Sequence, residues 1–195
     1  MNDAQLFALG ITLAWLAGIR VYLTVFGLGL AGLLGWLELP AALQLCESPW
    51  VLATSGLLAL VEFSADKIPG VDSGWDLLQT VLRIPAGAFL ASAALAGPEG
   101  DMSLGWAVAG AGAAFASHAI KSSTRALINT SPEPLSNWAA SSTEDVLTLG
   151  ALGLVFSHPW LALLLVVSVA LGLLLGVLWV LRRLLRRQPA PGLNT

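Results

Sequence analysis

The sequence predicts an all-α integral membrane protein, a six-span helical bundle, on three observations. Of its 195 residues, 56% are hydrophobic and 11% charged, against roughly 45–50% apolar and about 25% charged in a soluble domain. Its apolar residues fall in runs near the length that crosses a bilayer, about 20 residues for a hydrocarbon core of about 30 Å. Once those runs are threaded through a membrane, the Lys and Arg residues of the connections collect on one side. A water-soluble fold of this size has no interior large enough for so much apolar surface.

The spans are read at residues 5–36, 49–65, 76–97, 103–128, 142–158 and 160–182. At about 1.5 Å per residue the first would run about 48 Å, too long for an upright crossing. It is expected to tilt, or to break near Gly18-Ile19-Arg20. Its start, Met1 to Gln5, has no basic n-region, so it is expected to stay as a span rather than be cleaved. The second and fifth runs have short apolar cores, Trp50 to Val61 and Val146 to Phe156, and read as half-helices or segments that dip into the membrane. After the sixth comes a tail, 183–195, basic and then flexible. Four of the nine basic residues, Arg182, Arg183, Arg186 and Arg187, cluster where it begins and read as a membrane-edge anchor.

With both termini in the cytoplasm, the inner connections hold Lys67, Lys121, Arg125 and the C-terminal arginines. The outer ones hold Glu38, Glu47, Glu99 and Asp101, and Trp36, Trp50, Trp106 and Trp160 mark the outer boundary as an aromatic belt. Six spans divide into three and three, which would make two inverted repeats with short or broken middle spans, the plan of many secondary transporters.

Ionisable residues gather towards the inner side: Glu62, Asp66, Lys67, Asp72, Asp76, Arg83, His118, Lys121, Arg125, Glu133, Glu144 and Asp145. Arg20 lies deep in a span, where a charge costs about 3 kcal/mol on insertion scales unless it meets protein or water, so a partner is expected. Asp76, Gln79 and Arg83 make one polar stripe at helical spacing, and His118, Lys121 and Arg125 make another. Facing each other, the stripes would pair Asp76 or Glu62 with Lys121 or Arg125 and line a hydrated vestibule open to the cytoplasm. The plainer alternative is a set of ion pairs that staple helix ends.

Ser73-Gly-Trp-Asp76 and Ser141-Ser-Thr-Glu144 each read as a capping box before a span. Lys67 to Asp72 and Asn129 to Asn137 are Pro-containing, stiff connectors. Asn129-Thr-Ser131 matches a glycosylation sequon but falls on the inner side. Ser168, Gly172 and Gly176, and Gly27, Ala31 and Gly35, are small-residue stripes that allow close helix approach; oligomerisation stays open. Cys46 is the only cysteine, which excludes an internal disulfide.

Taken together, Gly18-Ile-Arg20, the block Glu62 to Asp72 with Asp76 and Arg83, Lys121 to Arg125, Ser131-Pro-Glu-Pro-Leu-Ser-Asn137 and Glu144-Asp145 resemble a family of small bacterial membrane proteins known as domain of unknown function 4126. The resemblance covers about residues 5–180. It implies a bacterial inner-membrane protein and supplies no catalytic assignment.

The expected function is a transporter or channel-like protein for a small polar or charged solute. Its site would be drawn from Arg20, Glu62, Asp66, Lys67, Asp72, Asp76, Arg83, His118, Lys121, Arg125, Glu144 and Asp145. The motive is the cost of ionisable groups at membrane depth. Alternatives are anionic-lipid phosphate binding by the basic stripe or lipid translocation, and a non-catalytic membrane assembly subunit. No H-E-x-x-H, G-x-S-x-G or P-loop is present, so no enzyme, metal or cofactor is expected. Nucleic acid is not an expected partner either. His118 could titrate near neutral pH or serve as a structural hydrogen-bonder.

Overall fold

The computed structural model describes residues 1–68, 70–97, 100–129 and 134–186. Among them are six α-helices, one 3₁₀ helix and no strand: α1 Asp3–Leu33, the 3₁₀ helix Ala41–Glu47, α2 Pro49–Ala65, α3 Val71–Ala94, α4 Leu104–Ile128, α5 Pro134–Ser157 and α6 Pro159–Arg186. The expected segments all appear, several with moved starts. Arg187, Glu133, Glu99 and most of the tail lie outside the described residues.

By length and composition three segments are apolar enough to cross a membrane: Asp3–Leu33, Val71–Ala94 and Pro159–Gly176. The 3₁₀ helix and α2, bent 64° from each other, make a fourth if counted as one span. α4 and α5 are as long, 25 and 24 residues, but do not meet the same measure: each carries two charged residues among many Gly, Ser and Thr residues.

The centre of the bundle is α1, which packs against every other helix and buries Leu9, Leu13, Leu16, Val21 and Leu28. It begins with a capping box in which Gln5 N–H donates to Asn2 Oδ1 at 2.9 Å and Asn2 N–H donates to Gln5 Oε1 at 3.0 Å. At Arg20 the backbone leaves the helical region (φ −141°, ψ 75°), which divides α1 into residues 3–19 and 21–33. The break fell where Gly18-Ile19-Arg20 suggested. Its consequence for the path of the chain was not foreseen.

The chain doubles back there. Phe7 packs edge-to-face on Trp106 with ring centroids 5.4 Å apart, and Asp3 and Phe7 share a cavity with Pro40, Ala41 and Leu95. The backbone of Cys46, in turn, lies against Gly29. A straight helix would hold Phe7 and Gly29 roughly 33 Å apart, too far for one seven-residue 3₁₀ helix to touch both ends. The two halves of α1 therefore form a V with Arg20 at its vertex. Its arms lie along different neighbours, residues 3–19 along α3 and α4 and residues 21–33 along α2 and α5. This corrects the expected thread. The N-terminus lies at the same end as residues 34–48, the end of α3 and the start of α4, opposite the charged cluster, and not beside it.

Other expectations are corrected by helix starts. α3 begins at Val71 with Gly70 (φ 83°) as N-cap and no side-chain cap, so Ser73 and Asp76 lie inside the helix. α5 begins at Pro134, whose fixed φ and missing N–H suit a first turn. It is thus a full-length helix and not a short one, and Ser141 to Glu144 are interior residues. Neither pattern caps a helix: Asp76, Ser141 and Glu144 turn inward to a buried cluster, and Ser73 and Thr143 are exposed. Asn137 is likewise helical rather than part of a connector. Gly35 has left α1 and stands at φ 71°, so that stripe reduces to Gly27, beside Leu152 of α5, and buried Ala31. Gly172 and Gly176 face open space.

α3 and α4 meet in a close seam. Gly87 of α3 and Gly110 of α4 oppose each other so closely that a Cβ on Gly110 would collide with the Gly87 carbonyl. α6 packs on α1 and α5 and leaves most of its described side chains exposed.

Candidate functional site: a buried charge network at the vertex of α1

All twelve expected site residues come together at the vertex of α1, drawn from five helices and the turn after α2. Arg20, Glu62, Asp66, Asp72, Asp76, Arg83, His118, Lys121 and Arg125 are each buried, while the Lys67, Asp145 and Glu144 side chains are 11%, 14% and 17% exposed. They do not line an open vestibule. They close on one another.

Asp66, just past the end of α2, is the hub. Its Oδ2 accepts from Arg20 Nη1 at 2.5 Å and from Lys121 Nζ at 2.6 Å, and its main-chain carbonyl accepts from Arg125 Nη1 at 3.2 Å. Arg20 reaches past it to α5, pairing with Asp145 at 2.9 Å and donating to Ser141 Oγ at 3.0 Å. A second arm runs through Arg83, which holds Glu62 Oε1 and Asp76 Oδ1, each at 2.7 Å. Lys121 links the arms, 3.3 Å from Asp76. The expected pairing of Asp76 with Lys121 is therefore present, whereas Arg125 takes Glu144, at 3.0 Å.

The α1 break is held from both sides. Lys121 Nζ donates to the Ile19 carbonyl at 3.2 Å, the kind of cation that suits the negative end of a helix. Thr24 Oγ1 donates to the Arg20 carbonyl at 2.8 Å.

His118 sits at the edge of the network. Arg83 Nη1 lies 3.0 Å from its Nδ1 and Thr80 Oγ1 2.7 Å from its Nε2. A guanidinium can only donate, so Nδ1 accepts and the proton sits on Nε2, pointing at Thr80. That is a hydrogen-bonding role, and it also fixes the position of Arg83.

Asp72 joins the network through amides. Asn129 Nδ2 donates to both its carboxylate oxygens at 3.0 Å, and Asn137 Nδ2 donates to Oδ2 at 3.3 Å. The Asn137 carbonyl accepts from Arg125 at 3.2 Å. Asn129, part of the sequon, thus spends its amide inside the protein. Asn137 and Ser141 were missed as site residues, and with Asp145 and Thr148 they repeat at helical spacing on one buried face of α5. That periodicity was hidden by placing the helix start eight residues late.

The network carries unmet capacity. Buried Glu62 Oε2, Asp66 Oδ1, Asp76 Oδ2 and Gln79 Oε1 have no hydrogen-bond partner among the described residues, nor do the donors Arg20 Nε and Arg83 Nε. No group of His, Cys, Asp or Glu among the described residues is arranged to hold a metal ion.

The fold and site together define a class: an all-α bundle, with helices apolar enough to cross a membrane, closed around a buried charge network at a broken helix. The chain belongs to the family described as a domain of unknown function (DUF4126), whose model matches residues 7–183. No curated protein and no solved structure matches it.

Proposed function

We propose that the protein is a small multi-pass membrane carrier for a polar or charged solute, with the network around Arg20 as its closed gate. The carrying observation is the vertex of α1. Two half-helix ends meet there among buried, mutually paired charges, and interrupted helices of this kind form the substrate and ion sites of secondary transporters. Buried ion pairs are poor value as staples, since desolvation cancels most of their attraction, but pairs that exchange partners can open and close a path.

In this reading α1 is a re-entrant hairpin and α2 to α6 are five crossings, which replaces the six-span thread with two inverted repeats. Lys67, Lys121, Arg125, Arg182 and Arg183 lie at the cytoplasmic end. The N-terminus, with Asp3, joins the acidic outer end, and the bacterial inner membrane is the location that fits. Lipid-phosphate binding by Lys121 and Arg125 has less support, because Asp66 and Glu144 already hold both cations.

Liposomes carrying the purified chain should show solute or ion flux above protein-free controls. Arg83→Lys, which keeps the charge but loses the two-carboxylate fork, should fold and transport at least about tenfold more slowly. Normal folding with every measured flux unchanged in Arg83→Lys and Lys121→Ala would end the proposal.

A further inference from the structure

A second opening approaches the same network from the side. α2 and α5 both pack on residues 21–33 of α1 but scarcely meet each other. The gap between them is a cavity of about 440 Å³ floored by Leu23 and Phe26, within the range of small-molecule pockets. Each helix contributes apolar residues at one end of it and a charge at the other. Along α2 the lining passes from Gly56 to Glu62, along α5 from Leu149 to Asp145, and along α1 from Phe26 to Arg20. At the mouth Leu60, Phe63 and Leu149 are exposed.

The charged end asks for a cation. Glu62 is fully buried, and its Oε2 has no partner among the described residues although Oε1 is held by Arg83. A buried carboxylate oxygen without a donor is costly. The network is also one charge short of balance: Arg20, Lys67, Arg83, Lys121 and Arg125 face Glu62, Asp66, Asp72, Asp76, Glu144 and Asp145. Phe26 at the floor adds aromatic surface, which also favours cations, while the Phe63 ring at the mouth already carries Lys67 Nζ, 3.1 Å from its centroid.

We propose that this cavity between α2 and α5 binds a lipophilic cation, a molecule with an alkyl or aryl body and a protonated amine head, with the ammonium donating to Glu62 Oε2. The body replaces apolar side-chain exposure at the mouth, and the head supplies both the missing donor and the missing charge. Entry is lateral, from the surroundings of the bundle. The site shares its charged end with the proposed gate and rests on the carrier reading for movement of the ligand, not for its binding.

The probe is dodecylamine, added to the full chain in a neutral detergent and followed by thermal stabilisation and by competition against a fluorescent lipophilic amine. Dodecylamine should stabilise the protein and compete at least about tenfold better than dodecanol, the ratio of a charge-assisted over a neutral hydrogen bond. Dodecyl sulfate should compete no better than dodecanol. Ala59→Phe, which fills the cavity without touching the network, should fold and lose dodecylamine binding, and Glu62→Gln should lose the preference for amine over alcohol. Should Glu62→Gln fail to fold, Asp145→Asn provides the charge test. Equal binding of amine and alcohol, tighter binding of the sulfate to the free Nε–H of Arg20, or unchanged binding in Ala59→Phe would each overturn the site. Dodecylamine binding with no solute flux would remove the carrier and leave the site; flux without dodecylamine binding would do the reverse.

Discussion

At the scale of single residues, Asp66 decides how the network behaves. One carboxylate oxygen serves Arg20 and Lys121 together, at 2.5 and 2.6 Å. Removing one partner from a buried pair strands the other, at about 3–5 kcal/mol. Asp66→Ala is therefore expected to lower the melting temperature in detergent more than any other single carboxylate truncation in the cluster. Glu62 and Arg83 offer the contrasting case. Glu62→Met alone leaves a cation buried, whereas Glu62→Met with Arg83→Met removes the salt bridge and should recover most of the loss. A double variant no more stable than the single would show that Asp76 and His118, the other neighbours of Arg83, outweigh Glu62. Residue identity was well read from the sequence here. Ionisable side chains in an apolar chain must find one another, so their list named the members of the charge cluster without a fold. Their state was not legible, since pairing and an open vestibule use the same residue types.

At the scale of helices, small residues set the distances that make those pairs reachable. Gly18 stands two residues before the break, where a Cβ would strike Ser117 Oγ and the Ala114 carbonyl of α4. Gly18→Ala should cost about 1–3 kcal/mol by overpacking. Adding Ser117→Ala should recover only part, because the Ala114 carbonyl is backbone and cannot move aside. Full recovery in the double variant, read from thermal melts, would mean that the helices are free to separate. Helix existence was plain in the apolar runs, but two starts were misplaced for one reason. The first turns of α3 and α5 are polar, and polar residues before an apolar run look like caps until it is known that they are buried. Asn137 and Ser141 on α5 are the residues this hid.

At the scale of the whole molecule, the V of α1 puts the N-terminus at the end of the bundle away from the charged cluster, and the proposed topology therefore moves it to the outer side. Nothing local in Gly18-Ile19-Arg20 announces a turn of that size, for it contains no proline and the helix resumes at once. The hint was global: Asp3 and the absence of basic residues near the start suit the acidic end, but an even number of straight spans forced the opposite choice. The test uses Cys46→Ala, which removes the only thiol, as background. In spheroplasts Ala4→Cys and Asp101→Cys should react with a membrane-impermeant maleimide from the same side, and Arg183→Cys only after permeabilisation. Labelling of Ala4→Cys with Arg183→Cys, and not with Asp101→Cys, would restore the straight first span.

The doubled helix also imposes an order of events on synthesis. Arg20 emerges 46 residues before Asp66, its first carboxylate, and the acids of α5 follow only after α3 and α4 have been made. In the proposed topology the nascent hairpin carries an unneutralised guanidinium until then, so its stable entry into the bilayer has to await the end of α2, and its final seat awaits α5. On this account the first segment to leave the ribosome is among the last to settle, and a chain stopped after α1 should be a substrate for quality-control proteases rather than an inserted fragment.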